Sequence, residues 1–187
     1  MKLFIMDTET TGKPPRLPVL AETVMYWPHV IQLSFMILDT ETFRYTEHDY
    51  MITSPIDIEN DHIHGITTQM NKVKGFPFQI IYPIFKLCME QCDLVIGHNI
   101  SFDLNMMHVE CLRHDIQWIF DRPIYCTMKS STFMFEKWPR LEELHNRLFQ
   151  DKAKNLHNAR VDVIVCLRCY MKMMHNIDLY ERIKHFR

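Results

Sequence analysis

Apolar residues fill positions 2–6 apart from Lys2, and the run stops at Asp7, which predicts a short strand. Residues 30–38 and 43–52 are rich in β-branched and aromatic side chains, so they read as two further strands. The short polar stretch Asp39, Thr40 and Glu41 between them predicts a hairpin. Pro14, Pro15 and Pro18 place an irregular loop before the second strand. From residue 76 the period changes: Ile80, Ile84, Leu87 and Cys88 carry helical spacing over 76–91, with Pro83 as a flaw. Residues 94–96 read as a short buried strand. Ser101 is then the expected cap of a helix that Leu104, Met107, Val109 and Leu112 extend to about 114. A strand near 119–125, a helix starting near 141 and a long helix over 158–174 follow. Three strands and then alternating helices and strands predict an α/β fold with a mixed sheet. Its N-terminal meander is antiparallel, and its later strands are joined by helical crossovers.

A chain of 187 residues, 47% hydrophobic and 24% charged, fits one domain. Its core is expected over about 2–175, with a basic helical tail over 176–187. The most apolar region, 24–38, is interrupted by Trp27, Pro28, His29, Gln32 and Ser34, so no stretch reaches the roughly 20 apolar residues of a membrane helix. The N-terminal apolar run is too short for a secretory signal, and no membrane partner is expected. The six cysteines sit mostly in apolar-periodic segments and read as free thiols of a reducing, cytoplasmic or nuclear compartment. A zinc site from Cys166 and Cys169 with Cys88 and Cys92 is the alternative, weakened because both pairs fall in expected helices.

The net charge of −2 hides an asymmetry. Residues 1–111 hold 7 Lys/Arg against 14 Asp/Glu, whereas residues 112–187 hold 14 against 9. This pattern suits acidic residues that hold cations beside basic ones that meet a polyanion, although an incidental spread of solvated charge gives the same count.

Three constellations carry chemistry. Asp7 and Glu9 stand two apart at the carboxyl end of the first strand, so both carboxylates point to one side, where they repel unless a cation lies between them. Oxygen ligands of this kind suit magnesium or manganese. Alone, such a pair is more often a solvated strand end. Asp103 sits in a first helical turn after a strand and a polar turn, a place an acid also takes for the helix dipole alone. His157 precedes Asp162 by five residues at a loop-to-helix junction, and a histidine there suits deprotonation of water.

Taken together, FIMDTETTG at 4–12, GHNISFD at 97–103 and HNARVD at 157–162 resemble the DEDDh exonucleases, the DnaQ-like family that includes proofreading subunits of bacterial replicative polymerases. The resemblance spans about 3–174, and IHGIT at 63–67, CTM at 126–128 and KWPRL at 137–141 add to it. It implies an RNase H-like fold with a central sheet of about five strands flanked by helices. It also implies two divalent cations, Mg2+ or Mn2+, bridged by Asp7. Glu9 and Asp162 would bind the cation holding the attacking water, Asp103 would support the second mainly through water, and His157 would act as base. Thr8, Thr10, His64, His98, Asn99 and Phe102 match positions that embrace terminal nucleotides in relatives, and a ring such as Phe102 stacks or wedges without reading base identity. Lys129, Lys137, Arg140, Lys152, Lys154 and Arg160 are candidates to track phosphates.

The implied activity is 3′-to-5′ hydrolysis of single-stranded or mismatched DNA ends to nucleoside 5′-monophosphates, in proofreading or end trimming, with a DNA polymerase as a candidate partner. Trimming of RNA ends is the alternative within the class. A haloacid-dehalogenase-like phosphatase also places an aspartate at the end of its first strand, but Glu9 replaces its second aspartate and the later paired aspartates are missing. A nuclease-like module that only binds nucleic acid or a polymerase would have no need to hold like charges together.

Overall fold

The computed structural model describes residues 1–153 and 156–182. Five strands, β1 (Lys2–Thr10), β2 (Val30–Asp39), β3 (Tyr45–Met51), β4 (Leu94–Gly97) and β5 (Ile124–Cys126), form one sheet in the order β3-β2-β1-β4-β5. The meander β1-β2-β3 is antiparallel, whereas β4 and β5 join it in parallel. The helices are α1 (Asp61–His64), α2 (Thr68–Lys74), α3 (Phe78–Glu90), α4 (Ile100–Arg113), α5 (Thr127–Ser130), α6 (Leu141–Phe149), α7 (Ala159–His175) and α8 (Leu179–Arg182). None of the described helices is long and apolar enough to cross a membrane.

The alternation along β1 assigns its two faces. Phe4 and Met6 pack with Phe85 of α3 and Met106 and Met107 of α4, whereas Leu3 and Ile5 pack with Val163, Leu167 and Tyr170 of α7. Because direction alternates strictly in a strand, Asp7 and Glu9 continue the α7 face and Thr8 the α4 face. Helices on both sides explain why residues 3–6 are all apolar rather than alternating.

Several boundaries differ from the sequence expectation. The strand expected near 119–125 shrinks to Ile124–Cys126. Proline at 123 has no N–H for a ladder, and Trp118 and Phe120 instead stack on each other, centroids 6.0 Å apart, against the core. The helix after β4 is entered through Asn99, not Ser101. Asn99 adopts the left-handed conformation (φ 69°) and its carbonyl accepts from the Phe102 N–H at 2.8 Å, which leaves Ser101 inside the first turn. The third strand begins at Tyr45 because Asp39 closes a turn on the Glu41 and Thr42 N–H groups, with Phe43 at φ 54°. Pro83 does not break α3: it lies on the exposed side, while Phe78, Ile81, Tyr82, Phe85 and Met89 bury the other.

The short helices α1, α2 and α5 carry too few residues for a periodic signal. The expected tail is helical over α8; its last five positions, 183–187, lie outside the described residues, as does Lys154. The cysteines are free thiols, all buried except half-buried Cys88. The zinc alternative fails among the described residues, where the metal-competent group contains no cysteine.

Candidate active site

Asp7 and Glu9 leave β1 on the face that meets the first turn of α7, which carries Asp162. One carboxylate oxygen from each of the three lies within 4.8 Å of the others. The placement of α7 depends on residues outside the motifs. Gln32 stands opposite Glu9 on β2; its Oε1 accepts from the Ala159 N–H at 3.3 Å, and its Nε2 donates to Asp49 Oδ1 at 2.8 Å. Ser34 donates to the same Asp49 oxygen at 2.5 Å. Arg160 reaches Glu47 on β3 at 2.8 Å. The helix start is thereby tied to two strands.

Asp103 arrives from the opposite face, in the first turn of α4, and is not among the three converging oxygens. Its Oδ1 accepts from both the Thr8 N–H at 2.9 Å and the Thr8 hydroxyl at 2.8 Å. Gly97 makes this approach possible: a Cβ there would stand 2.7 Å from Ile100 Cδ1 and 3.2 Å from the Met6 carbonyl oxygen.

The electrostatics are those of crowded, desolvated acids. Burial, then repulsion from Asp103, Asp162 and Glu9, raises the Asp7 carboxyl well above the usual range. Burial and the charges of Asp162 and Asp103 push Glu9 up to about 8. Asp103 rises to about 7 through burial, against the opposing effect of the Thr8 bonds, and Asp162 rises to about 6 chiefly through burial. Asp162 Oδ2 accepts from the His157 N–H at 3.1 Å, while its Oδ1 is buried without a partner. An orphaned buried carboxylate oxygen among like charges, in an all-oxygen donor set, fits a divalent cation. His157 is exposed and left-handed at φ 66°, at the rim of this cluster.

Two clefts flank the acids. The first, ≈ 430 Å³, includes Asp7, Asp162, His157, His98, Trp138 and Arg140 in its lining. The second, ≈ 300 Å³, includes Thr8, Glu9, Thr10, Lys13, His64 and Phe102.

A family model described as Exonuclease matches residues 4–170. The chain belongs to the exonuclease family. Its sheet order and flanking helices are the RNase H-like fold of that family, and its chemistry is that of a hydrolytic nuclease. No curated protein matches the chain.

Within this exonuclease domain the motif residues divide by their surroundings. His98 lines the first cleft with both ring nitrogens engaged. Nε2 donates to the Pro139 carbonyl at 3.0 Å, Nδ1 meets the Thr127 hydroxyl at 3.0 Å, and burial lowers its pKa. Asn99 is exposed beside it. His64 uses Nδ1 to accept from the Ile66 N–H, which leaves Nε2 as a buried donor with no partner; burial lowers its pKa too. Of the expected phosphate-tracking residues, Arg160 is held by Glu47 and Lys137 by Glu143, whereas Lys129, Arg140 and Lys152 form no ion pair among the described residues. Asp49, Asn60 and Lys13 carry no functional signal in the sequence, and Gln32 only interrupts an apolar region there. Asn60 donates to the Thr10 carbonyl at 2.9 Å and lines the second cleft. These contacts come from side chains far apart in the chain, and no local spacing signals them.

Proposed function

We propose that this exonuclease hydrolyses the last phosphodiester at the 3′ end of a single-stranded or mismatched DNA strand and releases a nucleoside 5′-monophosphate. The observation that carries this reading is the convergence of Asp7, Glu9 and Asp162, with Asp162 Oδ1 buried and unpartnered. Asp103, bonded to Thr8, and His157 at the rim support assigning the set to the DEDDh class.

Asp7, Glu9 and Asp162 would hold a pair of magnesium or manganese ions, with Asp103 in support. Bound there, the cations supply the positive charge that offsets the negative charge developing on the phosphoryl oxygens. His157 takes a proton from water as the water oxygen bonds to phosphorus. The bond from phosphorus to the 3′-oxygen of the preceding nucleotide breaks, and that oxygen takes a proton from solvent water as it becomes the new terminal hydroxyl. The backbone of Thr8 to Thr10, with His64 and Phe102, embraces the terminal nucleotide, and His98 and Asn99 border the strand leading to it. Proofreading or end trimming, beside a polymerase or alone, is the role such an activity serves.

The test is one assay on 5′-labelled single-stranded DNA, 3′-mismatched duplex and RNA of matching sequence, with magnesium, with manganese and with chelator. A ladder shortening from the 3′ end of DNA, abolished by chelator, is expected. Preferential shortening of the RNA would transfer the proposal to RNA ends, and no metal-dependent turnover on any end would leave a binding module.

A further inference from the structure

The part of the first cleft's wall formed by Trp138, Pro139 and Arg140 plays no part in the chemistry above, yet hydrogen bonds hold it in place. Pro139 is buried and its carbonyl accepts from His98 Nε2. Glu143 accepts from the Arg140 N–H at 2.7 Å and from Lys137 Nζ at 2.6 Å, one bond on either side of Trp138. Between these anchors Trp138 lines the cleft with 63% of its surface exposed, and it has no ring partner among the described residues. An indole of that size is normally buried in a core or an interface. Here the following residue, Pro139, is buried and bonded, while the ring is offered to solvent in the same cleft as Asp7 and Asp162.

We infer that Trp138 is a stacking platform for a base upstream of the released nucleotide, with Arg140 beside it on the strand's phosphates; this rests on the nuclease reading above. The charges of the wall favour stacking as its main contribution. Glu142 lines the same cleft and opposes a polyanion, so Arg140 is partly offset, whereas an uncharged π-face attracts any base. The two clefts then divide the work: the one containing Glu9, His64 and Phe102 takes the nucleotide to be released, and the one containing Trp138 takes the strand behind it. The ligand class is single-stranded nucleic acid at least two nucleotides long, held without sequence preference.

The experiment compares wild type, Trp138→Ala, Trp138→Phe and Arg140→Gln. The first readout is the ratio of kcat/KM on a ten-nucleotide single-stranded DNA to that on the p-nitrophenyl ester of thymidine 5′-monophosphate, which carries no upstream base. The second is the Kd of the labelled decamer with calcium in place of magnesium, which needs no turnover. Trp138→Ala should lower the ratio, through KM, and raise the Kd by about 5- to 100-fold, while Trp138→Phe keeps most of both. Arg140→Gln should weaken binding less and reduce the salt-dependence slope by about 0.7, one phosphate contact to a single strand. A wild type that cleaves the decamer, with Trp138→Ala unchanged in ratio and Kd, overturns the platform and leaves the nuclease reading standing. A wild type that binds the decamer through Trp138 without cleaving it supports the platform and removes the proposed chemistry. A wild type that neither cleaves nor binds overturns both.

Discussion

Thr8 grips Asp103 twice, its N–H and its hydroxyl both donating to the same carboxylate oxygen, Oδ1, at 2.9 and 2.8 Å. The two residues are 95 positions apart in sequence, and both are buried. The hydroxyl is the half of this grip that mutation can remove. Thr8→Val keeps shape and backbone bond but leaves a buried carboxylate oxygen short of a donor. It should cost about 1–3 kcal/mol in denaturant unfolding, with Thr8→Ser close to wild type. Full stability in Thr8→Val would show that the hydroxyl contributes nothing.

Asp7 lies at the centre of the repulsion, raised by burial and by Asp103, Asp162 and Glu9. Replacing it by asparagine removes one charge and keeps the volume. In chelator, Asp7→Asn should therefore melt higher than wild type by about 2–8 °C, a gain of roughly 1–2 kcal/mol. The increase in Tm that magnesium gives the wild type should disappear in the variant. A variant that melts lower in chelator and still responds to magnesium would contradict the repulsive cluster.

The acids also set a pH dependence for the protein in chelator. Glu9, Asp103 and Asp162 have folded-state values near 8, 7 and 6, all above the ordinary carboxyl range, so between about pH 5 and 8 the folded chain binds more protons than the unfolded one. Stability then falls as pH rises through that window and levels off above it. Melting curves from pH 5.5 to 9 should show this slope, and saturating magnesium should flatten or reverse it because cations require the ionised form. A Tm in chelator that rises steadily from pH 6 to pH 8 would refute the assignment.

His157 is exposed; its backbone N–H donates to Asp162, and its side chain acts on that carboxyl through charge, with no side-chain hydrogen bond among the described residues. Its side chain is thus separable from folding. His157→Ala should keep its melting temperature and its response to magnesium while kcat on a 3′ end falls by about 100- to 10,000-fold. Undiminished turnover would remove His157 from the proposed chemistry.

Far from the clefts, Arg168 is buried between two rings, 3.7 Å from the Phe149 centroid and 3.8 Å from that of Tyr180, and bonds both oxygens of Asp178 at 2.8 and 2.7 Å. Its guanidinium also meets His145 Nε2 at 2.8 Å. Arg168→Met should cost about 3–5 kcal/mol, because it takes the guanidinium away from the Asp178 carboxylate and from His145 Nε2. Adding Asp178→Asn should recover part of the loss, and a cycle with no coupling between the two would place the cost in packing alone.

The apolar run of residues 3–6, ending at Asp7, decided much by itself. It set β1, put Asp7 and Glu9 on one face, and, with the helical period after Asp103 and Asp162, supplied the elements from which the acids come. That is local information, carried by residues a few positions apart. What the spacing left open was which acids actually meet. The tertiary structure joins Asp162 to Asp7 and Glu9 but holds Asp103 on the other face through Thr8, because strand direction separates positions 7 and 8 whatever the motif contains. It also supplied Gln32 and Asp49, which anchor the start of α7 and whose role exists only once β2 and β3 lie beside β1. Trp138 is the sharpest contrast. In the sequence its stretch, KWPRL, only adds to the family resemblance, and the bonds of Pro139 to His98 and of Arg140 to Glu143 hold that stretch as a wall of the cleft that contains the acids.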